Sequence, residues 1–134
     1  MNAVHVTIEK TSTGYSAYLP EVEGIVTAAS SFNELRENMH EAISLYLETA
    51  NEYGDEVPEI LQNDFTLEFK FDIQTFMKWM TGVMTQRGLS EIASINESLL
   101  SQYASGIKKP RPKQLKRIET AIHRFADDLQ AISF

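Results

Sequence analysis

The sequence predicts an α+β protein in which a small antiparallel sheet with one helix is followed by an all-α segment. Residues 1–71 contain several short runs in which apolar and polar side chains alternate, as they do in strands with one buried face. Residues 72–134 instead repeat apolar side chains at intervals of three and four, the spacing of amphipathic helices. We therefore expect two domains, 1–71 and 72–134, with almost no linker between them.

The first three elements are predicted to be short strands. Apolar side chains alternate with His5, Thr7 and Glu9 in the first strand. The inward residues are Val4, Val6 and Ile8. A turn then leads into a second strand at 15–19, which pairs with the first as a hairpin. After a break near Pro20, residues 25–28 predict a third strand.

A capping box predicts the helix that follows, with Ser31 as N-cap and Glu34 reaching back to it. Its apolar stripe is about five turns long and suits covering one face of the sheet. The stripe consists of Leu35, Met39, Ala42, Ile43, Tyr46, Ala50 and Tyr53. Residues 51–63 are acidic and contain Gly54 and Pro58, so they predict a loop.

The clearest strand lies near the end of the first domain, where four large apolar residues alternate with polar ones. They are Phe65, Leu67, Phe69 and Phe71. Packing in the core explains them. If this strand lies at the sheet edge, an aromatic row that faces a partner is the alternative.

The order βββαβ, together with the segment GYSAYLPEVEGIVTAASSFNELRENMHEAI, resembles the N-terminal domain of HicB-type antitoxins from type II toxin-antitoxin systems. The resemblance covers about residues 4–71. It rests most on Tyr15, Ala17, Pro20, Gly24, Glu34, Asn38 and Ala42. Glu23 departs from the family's usual Pro, and Ala28-Ala29 from a commonly Gly-containing segment. The resemblance implies a reduced RNase H-like fold and a small, basic HicA-type mRNA interferase as partner, with the toxin-binding residues unknown within 1–71.

An RNase H-like fold raises the alternative of a nuclease. Two-metal cleavage of a phosphodiester needs several carboxylates that converge on the metal ions. The predicted first strand offers only Glu9, near its end, and the chain has no cysteine and only three dispersed histidines. We therefore expect no catalytic residues, no bound metal and no cofactor.

The second domain is predicted to begin with a helix capped by Asp72 and running to about Met84. Its inward residues are Ile73, Phe76, Met77, Met80, Val83 and Met84. A methionine-rich stripe also suits an adaptable binding groove, but at helical spacing it more often fills a core.

Two short helices at helix-turn-helix spacing come next. Leu89–Ala93 predicts one or two turns, and Ser94-Ile95 predicts a tight connection. Glu97–Ser105 predicts a second helix, with Asn96 as N-cap and Gly106 as the left-handed residue that ends it. The inward residues are Ile95, Leu100, Tyr103 and Ile107.

The outer side of this second helix is polar but barely charged, as a surface that reads bases should be. The candidate base-reading residues are Asn96, Glu97, Ser98, Leu99, Ser101 and Gln102. Serine and glutamine side chains hydrogen-bond to base edges, and Leu99 suits contact with a thymine methyl group. A basic run follows at once: Lys108, Lys109, Arg111, Lys113, Lys116 and Arg117.

Phosphate contacts position a recognition helix and base contacts specify the site, so we expect the basic run to bind phosphates. The phosphate-binding candidates are Lys108, Lys109, Arg111 and Lys113. The alternative is a generic helical pair with a solvated basic face.

The stretch Gly106-Ile107-Lys108-Lys109-Pro110 resembles the Cro/repressor-like (XRE-type) helix-turn-helix family. In that family the recognition helix is typically followed by Gly, one or two basic residues and Pro. Ser94 departs from the pattern where many members have Gly, and Arg111 departs where Ser or Thr usually caps the next helix. The resemblance implies binding to operator DNA.

Pro112 suits the first turn of a last helix. Its apolar residues are Leu115, Ile118, Ala121, Ile122, Phe125, Leu129 and Ile132. This stripe is longer than a small helical domain needs for its own core. It either closes that core or forms a contact in a homodimer or higher homo-oligomer, which would place two recognition helices on adjacent faces of the major groove.

The net charge of −7 conceals two halves of opposite character. Residues 1–71 carry 3 basic and 13 acidic side chains, a net charge of −10, whereas residues 72–134 carry 9 and 6, a net charge of +3. A basic half suits a polyanion and an acidic half suits a basic partner. We find no apolar window of about eighteen residues and no signal-peptide pattern, so we expect a cytoplasmic protein without a membrane partner.

These patterns together predict an antitoxin that neutralises a small HicA-type toxin and represses its own operon by binding operator DNA. The alternative is a stand-alone transcriptional regulator, whose N-terminal domain senses or binds something other than a toxin.

Overall fold

The computed structural model describes residues 2–134, which form a four-stranded sheet and five α-helices. The strands are β1 (Asn2–Lys10), β2 (Tyr15–Tyr18), β3 (Val26–Ala29) and β4 (Phe65–Lys70). The helices are α1 (Phe32–Glu52), α2 (Ile73–Met80), α3 (Gln86–Ala93), α4 (Glu97–Ser105) and α5 (Pro112–Gln130). The chain divides into two compact units between Asp72 and Ile73, one residue after the predicted boundary.

The sheet of the first unit is mixed, so the prediction of an antiparallel sheet was wrong. The strand order is β3-β2-β1-β4, with β1–β2 and β2–β3 antiparallel and β4 parallel to β1. The connection explains this, because α1 carries the chain from the end of β3 back along the sheet before β4 begins. A helical crossover of this kind joins strands that run in the same direction. Since β3 already runs parallel to β1, β4 does so too.

The core of the first unit lies between the sheet and α1. The alternating residues of β1 and most of the stripe of α1 are buried as predicted, since one face of each element points inward, while Ala42 and Tyr46 are half-buried. The buried residues from these two elements are Val4, Val6, Ile8, Leu35, Met39, Ile43 and Ala50. Tyr53 is exposed, contrary to the prediction, because α1 ends at Glu52 and the tyrosine caps it.

Two local details of the first unit differ from the predictions. The hydroxyl of Ser31 accepts a hydrogen bond from the Glu34 N–H at 3.2 Å, as an N-cap does, but the Glu34 carboxylate accepts from the hydroxyl of Ser30 at 2.9 Å. The predicted loop contains a short 3-10 helix at Glu59–Leu61, which buries Leu61 in the core. The single apolar turn was too short to give a periodic signal.

The apolar residues of β4 alternate as predicted but are only half-buried, because β4 is an edge strand with one neighbour. The ring of Phe32, at the start of α1, packs on this row. Its centroid lies 5.4 Å from that of Phe69 in an edge-to-face contact and 5.0 Å from that of Phe71 in a stacked contact. Both distances are typical of favourable aromatic pairs.

The second unit packs its helices around a core that contains Phe76, Met77, Leu89, Ala93, Ile95, Leu100, Tyr103 and Ile118. α2 ends at Met80, four residues before the predicted end, and a turn through Gly82 follows it. Val83 therefore lies outside the helix and is exposed, so its predicted place in the core was wrong. In the described part of the chain, none of the helices combines the length and apolar character that a membrane crossing requires.

Candidate nucleic-acid interface

The candidate site begins with α3, which starts three residues earlier than predicted. Thr85 is the reason, because its hydroxyl accepts a hydrogen bond from the Gly88 N–H at 3.0 Å and so caps the first turn. Leu89 and Ala93 point into the core of the unit. This burial fixes the orientation of α3 and of the turn that follows it.

The turn after α3 depends on Ser94, whose φ of 53° is left-handed. Its N–H donates to the carbonyl of Ser90, and so does the N–H of Ile95 at 3.2 Å. The hydroxyl of Ser90 in turn donates to the carbonyl of Ile95. A serine thus occupies a conformation that usually favours glycine, and these hydrogen bonds hold it there.

Arg117 of α5 also holds this turn. Its guanidinium donates from Nε to the carbonyl of Ala93 at 3.1 Å and from Nη2 to the carbonyl of Ser94 at 2.9 Å. Carbonyls at a helix C-terminus lack intrahelical partners, and the positive charge also suits the negative end of the helix dipole. In the sequence Arg117 belongs to the basic run, and nothing there predicted its contact with the turn.

α4 has the predicted bounds, Glu97–Ser105. The side chain of Asn96 accepts a hydrogen bond from the Ser98 N–H at 2.8 Å, which makes it the N-cap. Leu100 and Tyr103 are buried, so the opposite side of the helix faces outward.

The candidate base-reading residues lie on and beside this outward side. Four of them are exposed: Asn96, Glu97, Ser98 and Ser101. Leu99 and Gln102 are half-buried at its margin. The structure therefore brings all six onto the cap and first turns of one helix, with hydroxyl, amide and carboxylate groups open to solvent.

Gly106 ends α4 with a φ of 83°. A Cβ at this position would lie 2.5 Å from Nε2 of Gln74, an exposed and flexible side chain that can move aside, so the left-handed conformation is what favours glycine here. Ile107 was predicted to point inward but is 75% exposed. The left-handed residue takes the chain off the helical path, so the spacing of three and four no longer applies after Ser105.

The four candidate phosphate-binding residues, Lys108, Lys109, Arg111 and Lys113, are all exposed. Within residues 2–134 none of them takes part in an ion pair. Arg111 occupies the N-cap position of α5 without a side-chain capping bond, and Pro112 follows in the first turn as predicted. Uncapped N–H groups and the positive end of the helix dipole add to the charge of these side chains.

A shallow groove joins the α3–α4 turn to the basic side of α5. Its lining includes Ser94, Lys113, Lys116, Arg117 and Arg124. Arg124 was not among the predicted residues, because it lies well beyond the basic run in sequence and only the helical geometry of α5 places it on the same side of the helix as Lys113, about three turns away. Three further cations thus accompany Lys113 in this groove.

A family model described as HicB_like antitoxin of bacterial toxin-antitoxin systems matches residues 3–123, which span both units. The chain belongs to this family. It is also 41% identical over 44 residues to a UPF0150 protein of Helicobacter pylori strain J99. That stretch is 33% of this chain and 61% of the relative, so the chain covers less than two thirds of the relative's length.

The groups that the candidate site of this HicB-like chain presents are hydrogen-bonding side chains and cations. In the described portion of the chain, no group of three or more histidine, cysteine, aspartate or glutamate side chains is arranged to hold a metal ion. Glu9 is exposed at the end of β1, as expected from the sequence. The second unit instead offers a polar helix face followed by exposed cations.

Proposed function

We propose that this HicB-like antitoxin represses its own operon by binding operator DNA through α3 and α4, which act as an XRE-type helix-turn-helix, and neutralises a small HicA-type toxin with its first unit. The observation that supports DNA binding best is the polar outward side of α4, directly followed by four exposed cations without ion pairs. The helix that would read bases and the residues that would bind phosphates are adjacent in the chain.

The positions of these residues suggest how the free energy of DNA binding is divided between phosphate contacts and base contacts. Exposed lysine and arginine side chains gain most of their binding free energy by releasing counterions from phosphates, which does not depend on base sequence. Lys108, Lys109, Arg111 and Lys113 take this role. The side chains of Ser98, Ser101 and Gln102 supply hydrogen bonds to base edges, and these carry specificity.

We propose that the operator-binding form is a homodimer joined through α5. Within α5, Leu115, Ile118, Ile122, Phe125 and Leu129 follow one another at alternating steps of three and four. This is the spacing of the apolar seam in a coiled coil. Ile118 is buried within its own unit, but Leu115 is 42% exposed and Leu129 is 53% exposed. A second copy would cover them and present two recognition helices to the two halves of an operator.

The toxin-binding role is assigned to the first unit because of its charge. Residues 1–71 carry a net charge of −10, which attracts a small basic protein and steers its association. The antitoxin would act by covering the catalytic and RNA-binding surface of the mRNA interferase, without chemistry of its own. Its reduced RNase H-like sheet would serve only as a docking scaffold.

Fluorescence anisotropy tests the DNA-binding function. The purified protein is titrated onto DNA from immediately upstream of its own gene, and onto scrambled DNA of equal length, at two salt concentrations. We expect selective binding whose log affinity falls with log salt by about 0.9 for each phosphate contact. Equal, weak binding to both DNAs at low salt would contradict the repressor role.

The antitoxin function is tested with the small basic protein encoded by the neighbouring reading frame. We expect a stable complex and loss of mRNA cleavage when the two proteins are mixed. If operator binding is observed but no basic neighbouring protein binds, the stand-alone regulator becomes the correct description.

A further inference from the structure

The two edges of the sheet differ in what covers them. At the β3 edge, the Leu19 N–H donates to the Ile25 carbonyl at 3.3 Å, so these opposed residues form a hydrogen-bonded pair. Such pairs alternate along an antiparallel ladder, which turns the carbonyl of Ala28 outward, away from β2. The side-chain amide of Asn38 donates to that carbonyl at 3.0 Å. A residue of α1 therefore covers the β3 edge.

The β4 edge has no such cover. The Asn2 N–H donates to the Asp64 carbonyl at 3.3 Å, while Asn2 lies opposite Phe65. In a parallel ladder a residue bonds to the two neighbours of its opposite residue, so alternate residues of β4 face β1. The outward N–H and C=O groups belong to Phe65, Leu67 and Phe69. No hydrogen bond within residues 2–134 uses these outward groups.

The side chains of β4 make this open edge attractive to a partner. Phe65, Leu67 and Phe69 are half-buried on the face that carries the core, so an added strand would continue that core. Proteins usually block an edge strand with a proline, a bulge, charged side chains or a covering element. The charged side chains of β4, Glu68 and Lys70, lie on the face opposite the core. β4 pairs with β1 in unbroken register over six residues and contains no proline.

We propose that the basic toxin docks on this antitoxin by adding an extended strand to the open edge of β4. The proposal rests on the toxin-neutralising function proposed above and names the surface that performs it. A second copy of this unit would bring a further charge of −10 to the same edge and be repelled, whereas a basic protein is attracted. The occupant is therefore a basic chain, with apolar side chains at alternate positions facing Leu67 and Phe69.

Amide hydrogen exchange on the unmodified protein tests the edge directly. The probe is the purified small basic protein encoded beside the gene. In the free antitoxin the amides of Phe65, Leu67 and Phe69 should exchange fast, because nothing in the ladder protects them. In the complex they should exchange at least about 100-fold more slowly, as amides in a hydrogen-bonded sheet do.

A pair of proline variants supplies the matched control. Leu67→Pro removes an outward N–H from the β4 edge together with a half-buried side chain, and leaves the bonds to β1 in place, since proline is tolerated at an outward position of an edge strand. Leu67→Ala keeps the N–H and so measures the loss of the side chain alone. Val26→Pro does the same at the β3 edge, where the exposed Val26 also points its N–H outward. We expect Leu67→Pro to raise the Kd for the basic protein at least about 10-fold and Val26→Pro to change it by less than about twofold.

The outcomes distinguish failure of the proposed docking at the β4 edge from failure of the proposed toxin-neutralising function. A complex that forms while the β4 amides stay unprotected, or one that tolerates Leu67→Pro but not Val26→Pro, overturns the edge proposal and leaves toxin neutralisation standing. Failure of the unmodified proteins to bind at all overturns both. Because the exchange measurement uses unmodified protein, it decides the question even if Leu67→Pro does not fold.

Discussion

The guanidinium of Arg117 is bound to the carbonyl of Ser94 at 2.9 Å, across 23 residues of sequence. A second donor of the same group binds the carbonyl of Ala93 at 3.1 Å. α5 therefore fixes the geometry of the turn between α3 and α4, and with it the direction in which α4 leaves the turn. This guanidinium thus uses two of its donors to hold the turn.

Arg117→Lys should distinguish the role of Arg117 in holding the α3–α4 turn from its role as a positive charge. A lysine keeps the positive charge but cannot bind two carbonyls as a fork, so we expect the free energy of unfolding to fall by about 1 kcal/mol in chemical denaturation. The salt dependence of operator binding should stay unchanged, because the charge is retained. Arg117→Met removes the charge as well, and Lys116→Met is its control, which removes a neighbouring charge and leaves the turn intact. A salt slope reduced by about 0.9 in Arg117→Met would show that Arg117 contacts phosphate.

Ser94→Gly should stabilise the second unit. At a φ of 53° the serine side chain is strained and glycine is not, so we expect a gain of about 0.5 to 1 kcal/mol, reduced by the greater flexibility of glycine in the unfolded chain. Thermal denaturation measures the change. Ser98→Gly, on the helix of α4, is the control and should lose about 0.5 kcal/mol. A loss of stability in Ser94→Gly would mean that the turn is not strained.

The sequence predicted best the features that depend on neighbouring residues. The bounds of α4 follow from Asn96 and Gly106, which act through hydrogen bonds and dihedral angles within a few residues. The end of α2 and the exposure of Ile107 were predicted wrongly, because an apolar residue beyond a glycine still fits the helical spacing after the helix has ended. The spacing of apolar residues identifies the buried face of a helix but not the residue at which the helix ends.

Features that depend on distant residues could not be predicted. The parallel pairing of β4 is set by the crossover through α1, and alternation in a single strand is the same in parallel and antiparallel sheets. The bond from Arg117 to the α3–α4 turn likewise has no local signal, since an arginine within a basic run looks like its neighbours. Asn38 was singled out by resemblance alone, and the structure supplies its contact with Ala28.

Gly106→Ala should destabilise the second unit chiefly through the backbone conformation of residue 106. The left-handed φ of 83° costs about 1 to 2 kcal/mol for alanine, whereas Gln74, whose Nε2 would lie 2.5 Å from the new Cβ, is an exposed and flexible side chain that can move aside. We expect a loss of about 1 to 2 kcal/mol in chemical denaturation. The double variant Gly106→Ala/Gln74→Ala should recover little of this loss, relative to Gln74→Ala alone. Full recovery would show that the conformation of residue 106 carries no cost.

Arg111→Ser should change stability and DNA binding in opposite directions. Arg111 is the N-cap of α5 but makes no side-chain capping bond, so serine should add about 1 kcal/mol of stability. The loss of one cation should lower the salt slope of DNA binding by about 0.9 and weaken operator and scrambled DNA alike. Arg111→Ala is the control, because it removes the charge without adding a cap. A serine variant that is no more stable than the alanine variant would contradict the capping argument.

Gln102→Ala and Lys108→Ala should weaken DNA binding in different ways. Gln102 lies at the margin of the outward side of α4, so its loss should cost about 1 to 3 kcal/mol at the operator and little on scrambled DNA. Lys108 is exposed beyond the helix, so its loss should weaken both DNAs equally and lower the salt slope. Anisotropy titrations on both DNAs measure each effect. Unchanged operator binding in Gln102→Ala would place the base-reading surface elsewhere on α4. A loss of affinity confined to operator DNA in Lys108→Ala would show that this lysine contacts a base and not a phosphate.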